Sequence, residues 1–440
     1  MSKRIWENYA KFYFIGIGGV SMSGLAKFLL NKGKTVSGSD ISHSVYTKEL
    51  EEVGVKISYG GSRESVVDYD VIVYTDAIKD NDIQLVEAKN LNKVILSRGA
   101  LLTEVSRDYE RVIAVSGCHG KTTVTSMLAH IFYFADLGFG VHIGGRDKKF
   151  SNSYYCGNSY FLTEACEYKK NFLLLRPSIA VVLNSDADHL ECYGSVENLM
   201  IAYQRFAKSA EWAITLYGDL GVYGATFGYD ESADYYAKNI KEHGGTYCFS
   251  AYEGGSLLGE VKLNVYGKHN VLNALAAIAV GRAENIPFEK IRQGLENFSG
   301  VERRFEKLGK INGAEVIADY AHHPNEIRAT LRAAKKITAG RLFVVFQPHT
   351  YSRTKNLFKD FVRVLSHLNN LLIYRTFAAR EYFDDAGSAL TLSQHIKKSC
   401  YGDDVKDICD FLSKAQEGDV ILFLGAGDIY DIAKTIVENI

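Results

Sequence analysis

The chain has little of what marks membrane-spanning or secreted proteins. Only four prolines stand against 39 glycines, so turns should be built mainly from glycine, and no proline-rich linker separates domains. The longest apolar runs span about six to eight residues, far below the roughly 20 that cross a bilayer. The first residues, MSKRIWENYAKFYFIGIGG, lack the apolar region and small-residue cleavage site of a signal peptide.

Cysteine pairs and net charge are also missing. Seven scattered cysteines form no CxxC pair, which excludes a zinc ribbon and gives no sign of a disulfide framework. The 51 basic and 52 acidic residues give a net charge of −1, so nothing indicates a nucleic-acid or membrane surface. We therefore expect a cytoplasmic protein with reduced thiols, a monomer or homodimer, that binds neither nucleic acid nor membrane.

What the sequence does contain is an alternation of short apolar strands and helices. This alternation predicts α/β domains with parallel sheets. Two glycine loops, near residues 16 and 117, each follow a strand and open a helix, and a further set of strands and helices follows GVERRFE. At about 150 residues per domain, the length also suggests three domains. We predict domains at residues 1–107, 108–300 and 301–440.

The second glycine loop has the composition of a phosphate-binding loop. It consists of Gly117, Cys118, His119, Gly120, Lys121, Thr122 and Thr123. Glycines let backbone N–H groups turn toward an anion, a lysine reaches the β- and γ-phosphates, and a threonine hydroxyl ligates Mg²⁺. Val115 replaces a glycine of the strict pattern, so this is a shortened variant. The pattern predicts a P-loop-type central ATPase domain that uses ATP and Mg²⁺; the alternative is a purely structural turn.

The first glycine loop, GIGGVSMSG at residues 16–24, resembles a dinucleotide fingerprint in which Ser21 replaces the third glycine. Asp40 stands at the end of the next strand, where such folds place a ribose-binding carboxylate. The loop predicts a Rossmann-like domain and, taken alone, a nicotinamide-dependent oxidoreductase. Any pyrophosphate would suit the same amides, and a turn that only packs a helix on a sheet is a further alternative.

Glu164 and His189 follow two apolar strands of the central segment, SYFLT and IAVVLN. Ligands of α/β sheets bind at the carboxyl ends of the strands. A phosphate-loop enzyme needs an acid to hold Mg²⁺ against the nucleotide, and Glu164 is a natural candidate. His189 could ligate a second cation or contact a phosphate, although a histidine in this position is more often structural.

Nine motifs together resemble one known family. In order they are GIGGVSMSGLA, GCHGKTT, TEACEY, NSDADH, GKHNVLNALAA, GVERRFE, DYAHHPNEI, FQPHTYSRT and GAGDI. They are similar to the motifs of the Mur ligases, above all of those that add L-alanine to UDP-N-acetylmuramate. The resemblance implies an ATP-dependent, ADP-forming amide ligase of peptidoglycan precursor synthesis, and so of cell shape and division. Its N-terminal domain would bind UDP, the central domain ATP, and a Rossmann-like C-terminal domain the amino acid.

The resemblance also implies roles for residues of the first two domains. The UDP pyrophosphate would rest on the loop, with Asp40 near the nucleotide sugar or base; the loop residues are Gly18, Gly19, Ser21 and Met22. Lys121 would hold the ATP phosphates, with Thr122, Glu164 and His189 at the metal sites. The adenine-binding motif contains His269, Asn270 and Asn273, which could instead cap a helix. Either Arg303 or Arg304 would reach the γ-phosphate, a choice the sequence leaves open.

In the third domain, the resemblance places Asp319 with ATP and assigns Tyr320, His322 and Arg353 to the amino acid. His322 is a candidate general base. Arg353 provides a guanidinium fork suited to a carboxylate. One common form of the FQPHTYSRT motif has arginine where this chain has Thr350, so one contact to the amino acid could differ.

The expected mechanism makes a carboxylate into an acyl phosphate, which an amine then attacks. Three other readings stay open from sequence. A ligase that attaches a preformed peptide to the same sugar nucleotide would differ around residues 350–354 and 378–381. If the protein were a nicotinamide oxidoreductase, the loop at 117–123 would have no function. If it were a P-loop switch or motor, the UDP-side domain would have no function.

Overall fold

The computed structural model describes residues 4–186, 190–379 and 381–439. In these ranges it contains three β-sheets, each flanked by helices. His189 lies outside the described residues. None of the described helices has the length and apolar character needed to cross a membrane.

The N-terminal sheet is parallel, with strand order β3-β2-β1-β4-β5. The order changes direction at β1, so the crevice for a ligand opens at its carboxyl end, where the first glycine loop lies. The elements in chain order are α1 Ile5–Asn8, β1 Lys11–Ile15, α2 Val20–Asn31, β2 Thr35–Asp40, α3 Val45–Glu52, β3 Lys56–Tyr59, β4 Val71–Tyr74, α4 Ile83–Asn90, β5 Val94–Ser97 and α5 Arg98–Ser106.

The central sheet has the order β15-β14-β13-β12-β11-β10-β6-β9-β7-β8. Strand β6, which leads into the phosphate loop, lies between β10 and β9 and runs parallel to both. The elements are β6 Arg111–Ser116, α6 Lys121–Phe134, β7 Phe139–Asp147, β8 Ser151–Tyr155, β9 Tyr160–Glu164, β10 Ile179–Val182, α7 Leu190–Tyr193, α8 Val196–Lys208, β11 Trp212–Leu216, β12 Ala225–Gly228, β13 Tyr235–His243, β14 Thr246–Glu253, β15 Ser256–Lys262, α9 His269–Ala283 and α10 Phe288–Asn297.

The N-terminal and central sheets share one hydrophobic core. Helix α2 packs against β7 and β8, and the same buried cluster contains Phe28 of α2 and Phe161 of β9. Tyr155 of β8 packs edge-on against Phe28, with ring centroids 5.4 Å apart, and donates a hydrogen bond of 3.0 Å to the carbonyl of Gly24. Apolar burial of this kind is the main favourable term in folding, so the two sheets stabilise each other.

The third sheet has the order β16-β17-β21-β18-β19-β20, parallel except for the β16–β17 pair. Separate buried clusters lie on its two faces. The elements are β16 Glu306–Ile311, β17 Ala314–Asp319, α11 Pro324–Ile337, β18 Leu342–Phe346, α12 Tyr351–Asn356, α13 Phe358–Leu365, β19 Asn370–Tyr374, α14 Ala389–Gln394, β20 Ser399–Gly402, α15 Val405–Leu412, β21 Val420–Leu424 and α16 Ile429–Glu438.

By its contacts the chain forms two compact units. The first comprises Met1–Ile240, Phe249–Lys262 and Val271–Ser299, and the second Lys241–Cys248, Leu263–Asn270 and Gly300–Ile440. The N-terminal sheet lies in the first unit and the third sheet in the second. The domain boundaries expected near residues 107 and 301 stay predictions.

Candidate active site

The phosphate loop is held in a conformation that requires glycine. Gly117 and Gly120 have φ angles of 130° and 89°, in the region that favours glycine. A Cβ on Gly120 would lie 2.6 Å from the side-chain oxygen of Asn273. Asn273, expected at the adenine-binding motif, therefore lies directly against the phosphate loop.

Asn184 fixes the middle of this loop. Its side-chain oxygen accepts a hydrogen bond from the backbone N–H of His119, and its amide donates to the carbonyl of the same residue, both at 3.0 Å. The Sγ of Cys118 lies 3.3 Å from Nε2 of His119, and Thr122 is buried at the start of α6. Asn184 belongs to the NSDADH motif, but the sequence did not single it out.

Lys121, the predicted phosphate-binding residue, is paired with a buried carboxylate. Its Nζ lies 3.0 Å from both carboxylate oxygens of Glu167, whose side chain is only 2% exposed. The ammonium also donates to the carbonyls of Gly117 at 2.5 Å and Cys118 at 3.2 Å. Burial alone would lower the pKa of Lys121, but the nearby charge of Glu167 raises it above its ordinary value. The lysine is therefore charged and must exchange partners to reach a phosphate.

Glu167, the partner of Lys121, is a further residue that the sequence analysis did not single out. It follows Glu164 by three positions in TEACEY, so a second acid in a motif next to a phosphate loop was the available signal. The pairing of Glu167 with Lys121 could not be predicted from sequence spacing. Glu167 lies beyond the end of β9, just before a 3₁₀ helix at Tyr168–Leu174.

Glu164 ends β9 and lies opposite Val115 of β6, at the same sheet edge as the phosphate loop. Its Oε1 accepts a hydrogen bond of 2.5 Å from the N–H of Gly144, and a Cβ on Gly144 would lie 2.5 Å from Oε2. Carboxylate and hydroxyl oxygens are the ligands that Mg²⁺ prefers, so Glu164 and Thr122 fit that ion chemically. Among residues 4–186, 190–379 and 381–439, no three His, Cys, Asp or Glu side chains group around a metal position.

In the first glycine loop, Asp40 holds the backbone. Its two carboxylate oxygens accept hydrogen bonds of 2.8 Å from the N–H groups of Gly18 and Ile41. Gly19 caps α2, whose first-turn N–H groups lack acceptors within the helix. Met22 is buried. The structure thus brings Asp40, the last residue of β2, into contact with the predicted loop.

Asp319 ends β17 of the third sheet and is a half-buried carboxylate. It accepts hydrogen bonds of 2.8 Å from the N–H groups of Phe305 and Ala321. Burial raises its pKa to about 6, against the opposing charge of Arg304. It therefore fixes the start of the DYAHHPNEI segment to the GVERRFE segment.

The two adjacent arginines point to different partners. Arg303 has a φ of 63°, and its guanidinium lies 4.4 Å from the Tyr430 ring centroid and 3.2 Å from Asp431. Arg304 instead lies over the ring of Tyr320, 5.2 Å from its centroid. Its charge helps to lower the pKa of His322. Arg304 is thus the arginine that the structure groups with Tyr320 and His322, expected at the amino acid, and with Asp319, expected at ATP.

His322 has the geometry of a neutral base. Its Nδ1 donates to the carbonyl of Tyr320 at 2.9 Å, which leaves the lone pair on Nε2. Burial lowers its pKa, although Glu326, with a carboxylate oxygen 3.5 Å from Nδ1, opposes this. At neutral pH the ring is therefore uncharged and able to accept a proton.

Arg353 is oriented by a residue that the sequence did not single out. One guanidinium nitrogen donates to Nδ1 of His349 at 3.1 Å. Burial lowers the pKa of His349 to about 3, so the ring stays a neutral acceptor, and it stacks on Phe377 with centroids 5.5 Å apart. Thr350 has a φ of 67°, an outlier for a β-branched residue of the kind that clusters at functional sites.

The first two residues of the adenine-binding motif lie at the start of α9. His269 is its first residue, and the amide of Asn270 donates to the carbonyl of Tyr266 at 2.7 Å. Asn270 thus makes a bond typical of a helix end, which was the structural alternative for this motif. Its contact with a nucleotide stays a prediction.

Comparison with known proteins agrees with this architecture. Three family models match: "Mur ligase family, catalytic domain" at residues 11–110, "Mur ligase middle domain" at 115–281 and "Mur ligase, glutamate ligase domain" at 303–427. The chain belongs to the Mur ligase family. The predicted family, the three-domain α/β fold and the class of ATP-dependent, ADP-forming amide ligase are confirmed.

Individual relatives cover the whole length of the chain. UDP-N-acetylmuramate–L-alanine ligases of Clostridium novyi and Clostridium acetobutylicum are 40% and 41% identical, with 98% of each chain covered. The solved structure of UDP-N-acetylmuramate–alanine ligase from Thermotoga maritima is 28% identical, with a TM-score of 0.86 and 98% of each chain covered. A murein peptide ligase from Psychrobacter arcticus, 24% identical with a TM-score of 0.76 over 98% and 99%, shares the fold.

The Lys121–Glu167 pair generates a first prediction. Glu167→Gln should leave the buried ammonium without a counter-ion until ATP supplies one. We expect ATP to bind about tenfold or more tightly, since a charge-assisted bond contributes about 1.5–3 kcal/mol and no longer competes. The melting temperature should fall without nucleotide and rise more than in the wild type on adding ATP.

Glu289→Gln is the matched control, because Glu289 forms an exposed pair with Arg292 at 2.7 Å. It should change neither ATP affinity nor the size of the nucleotide-induced shift. Weaker ATP binding by Glu167→Gln, measured by titration calorimetry, would show that Glu167 assists the nucleotide instead of competing with it.

The arginine pair generates a second prediction. Arg304→Ala should lower kcat by about 10²-fold, the usual cost of removing one charge-stabilising group at a reacting centre. Arg303→Ala removes an exposed pair with Asp431 and should change kcat by less than about threefold. Steady-state ADP release by the two variants measures this directly. The reverse ranking would assign the phosphate contact to Arg303.

The geometry around Arg353 generates a third prediction. Arg353→Ala should raise the KM for the amino acid by about 10- to 150-fold, the loss of one charge-assisted hydrogen bond to a carboxylate. His349→Ala should produce a smaller increase, because it leaves the guanidinium in place but unoriented. The KM for ATP is the control in both variants. An increase confined to the KM for ATP would make Arg353 a phosphate residue.

Proposed function

We propose that this protein joins L-alanine to the carboxylate of UDP-N-acetylmuramate, with ATP cleaved to ADP and phosphate. The observation that carries this is the full-length similarity, at about 40% identity, to ligases named for that reaction. The geometry supports it independently, because a phosphate loop, an adjacent strand-end carboxylate and a second glycine loop lie in one compact unit. The product enters peptidoglycan precursor synthesis.

The first chemical step is phosphoryl transfer. A carboxylate oxygen of the sugar nucleotide attacks the γ-phosphorus of ATP and ADP leaves, giving an acyl phosphate. Positioning and charge neutralisation carry such a step. Lys121 exchanges Glu167 for phosphate oxygens, and Arg304 neutralises the γ-phosphate. Thr122, Glu164 and His189 would hold Mg²⁺, which supplies further neutralising charge.

The second step forms the amide. Arg353, oriented by His349, binds the carboxylate of L-alanine. The amine must lose a proton before it can attack, and His322 accepts that proton at Nε2, the ring nitrogen not used by the Tyr320 carbonyl. Attack on the acyl carbon gives a tetrahedral oxyanion, which collapses with loss of phosphate.

The other readings are less well supported. A nicotinamide oxidoreductase is not favoured, because the family assignment accounts for both glycine loops without it. A ligase for preformed peptides shares the fold at 24% identity, which gives no support for its substrate. The seven cysteines are all free thiols, which agrees with a cytoplasmic site of action. Whether the protein acts as a monomer or homodimer stays a prediction.

The deciding experiment measures ADP release with UDP-N-acetylmuramate and a panel of amine substrates: L-alanine, L-serine, glycine and an L-alanine-containing tripeptide. We expect turnover only with the sugar nucleotide and an amine together, and the highest kcat/KM with L-alanine. Lys121→Ala is the control for contaminating ATPase. ATP hydrolysis without the sugar nucleotide, or a preference for the tripeptide, would contradict the proposal.

A further inference from the structure

Arg98 is a half-buried arginine with one hydrogen bond. It is the first residue of α5 and directly follows β5, so it lies at the carboxyl edge of the N-terminal sheet. One guanidinium nitrogen donates to Oγ of Ser21 at 3.3 Å. In the described part of the chain, no ion pair and no second hydrogen bond uses its other N–H groups. A guanidinium has five N–H donors, so four remain.

Ser21 is fixed from the other side by a buried histidine. Nε2 of His142, on β7, lies 2.8 Å from Oγ of Ser21. His142 is 3% exposed, and burial together with the charge of Arg98 lowers its pKa to about 3, so the ring is neutral. Its Nδ1 is buried without a hydrogen-bond partner, and a Cβ on Gly24 would lie only 2.9 Å from it.

The proton of His142 is therefore placed on Nε2. A buried N–H without an acceptor is rarer and more costly than a buried lone pair, so Nδ1 carries the lone pair. Nε2–H then donates to Ser21, and Arg98 donates to the same oxygen. Both acceptor sites of the Ser21 hydroxyl are filled. The hydroxyl proton must point to a third group, which has to be an acceptor.

The location of Ser21, His142 and Arg98 indicates what kind of group accepts the hydroxyl proton of Ser21. Ser21 is the second residue of α2, directly after the first glycine loop, where helix N–H groups favour an anion. Here the residue that replaces the third glycine of the fingerprint faces β7 and Arg98. An anion bound at this end of α2 would meet both the Ser21 hydroxyl and the remaining N–H groups of Arg98.

We propose that Arg98 binds the pyrophosphate of the sugar nucleotide, and that Ser21 and His142 are the residues that position it. A planar guanidinium forms paired hydrogen bonds with phosphate oxygens. The Ser21 hydroxyl donates to the same anion, since its lone pairs are filled. The inference rests on the proposed function, because it requires that the first loop binds a uridine diphosphate sugar.

The test compares three ligands by titration calorimetry: UDP-N-acetylmuramate, UDP-N-acetylglucosamine, which has the pyrophosphate but no carboxylate, and ATP. Arg98→Ala should weaken both sugar nucleotides by about 10- to 150-fold and leave ATP unchanged. Arg98→Lys should recover only part of the lost affinity, because a lysine ammonium cannot form the paired hydrogen bonds of a guanidinium. Weakening of UDP-N-acetylmuramate alone would assign Arg98 to the carboxylate and overturn the proposal, and so would unchanged binding of both.

A failure of the proposed function looks different from a failure of this inference. If the wild-type protein binds no UDP-N-acetylmuramate, the proposed function falls. If it binds and turns over this substrate while Arg98→Ala binds it equally well, only the role of Arg98 falls.

His142 is tested as a positioning residue. His142→Leu removes the donor to Ser21 and should raise the KM for UDP-N-acetylmuramate several-fold, with kcat and the KM for ATP unchanged. His142→Gln keeps a side-chain donor and should restore most of the affinity. A fall in kcat, or equal effects of Leu and Gln, would indicate a purely structural role and overturn the positioning assignment.

Discussion

The need to keep one ammonium ion charged in a buried site organises the centre of this protein. In the proposed reaction Lys121 acts on phosphate as a cation, and burial opposes that charge. Glu167 and two loop carbonyls supply the compensation when no phosphate does so. The glycines of the loop, the Asn184 bridge to His119 and the contact of Asn273 all fix the backbone around that ion. The site is thus prepared for anion exchange, since an incoming phosphate replaces one negative partner by another.

In the third domain two arginines also keep their charge, but their partners are neutral side chains. Arg353 is oriented by a histidine whose low pKa keeps it an acceptor, so its charge is not cancelled before a carboxylate arrives. Arg304 lies over an aromatic ring, where the attraction is weaker than an ion pair and the guanidinium edge stays available. Arg303 forms an ion pair with Asp431 and has its charge largely compensated. Partner chemistry therefore separates arginines that the sequence could not distinguish.

Sequence reasoning succeeded where local pattern and structure coincide. The alternation of short strands and helices predicted parallel sheets, and the five N-terminal strands form one. Strands β8, β13 and β15 are harder to predict, because polar and charged residues interrupt their apolar pattern. Glu167, His349 and the direction of Arg304 depend on contacts between elements. Arg303 has a positive φ angle, which the amino-acid composition around Arg303 and Arg304 does not predict.

The shared core of the first two sheets explains how two loops far apart in sequence can serve one reaction. Helix α2 begins at the first glycine loop and packs through Phe28 against the β7–β8 hairpin and Phe161 of β9. Strand β9 ends at Glu164, beside the phosphate loop. The N-terminal end of α2 and the carboxylate beside the phosphate loop are therefore positioned by the same packed side chains. Because close-packed interiors deform little, this shared core fixes the separation between the two glycine loops, as the proposed reaction requires.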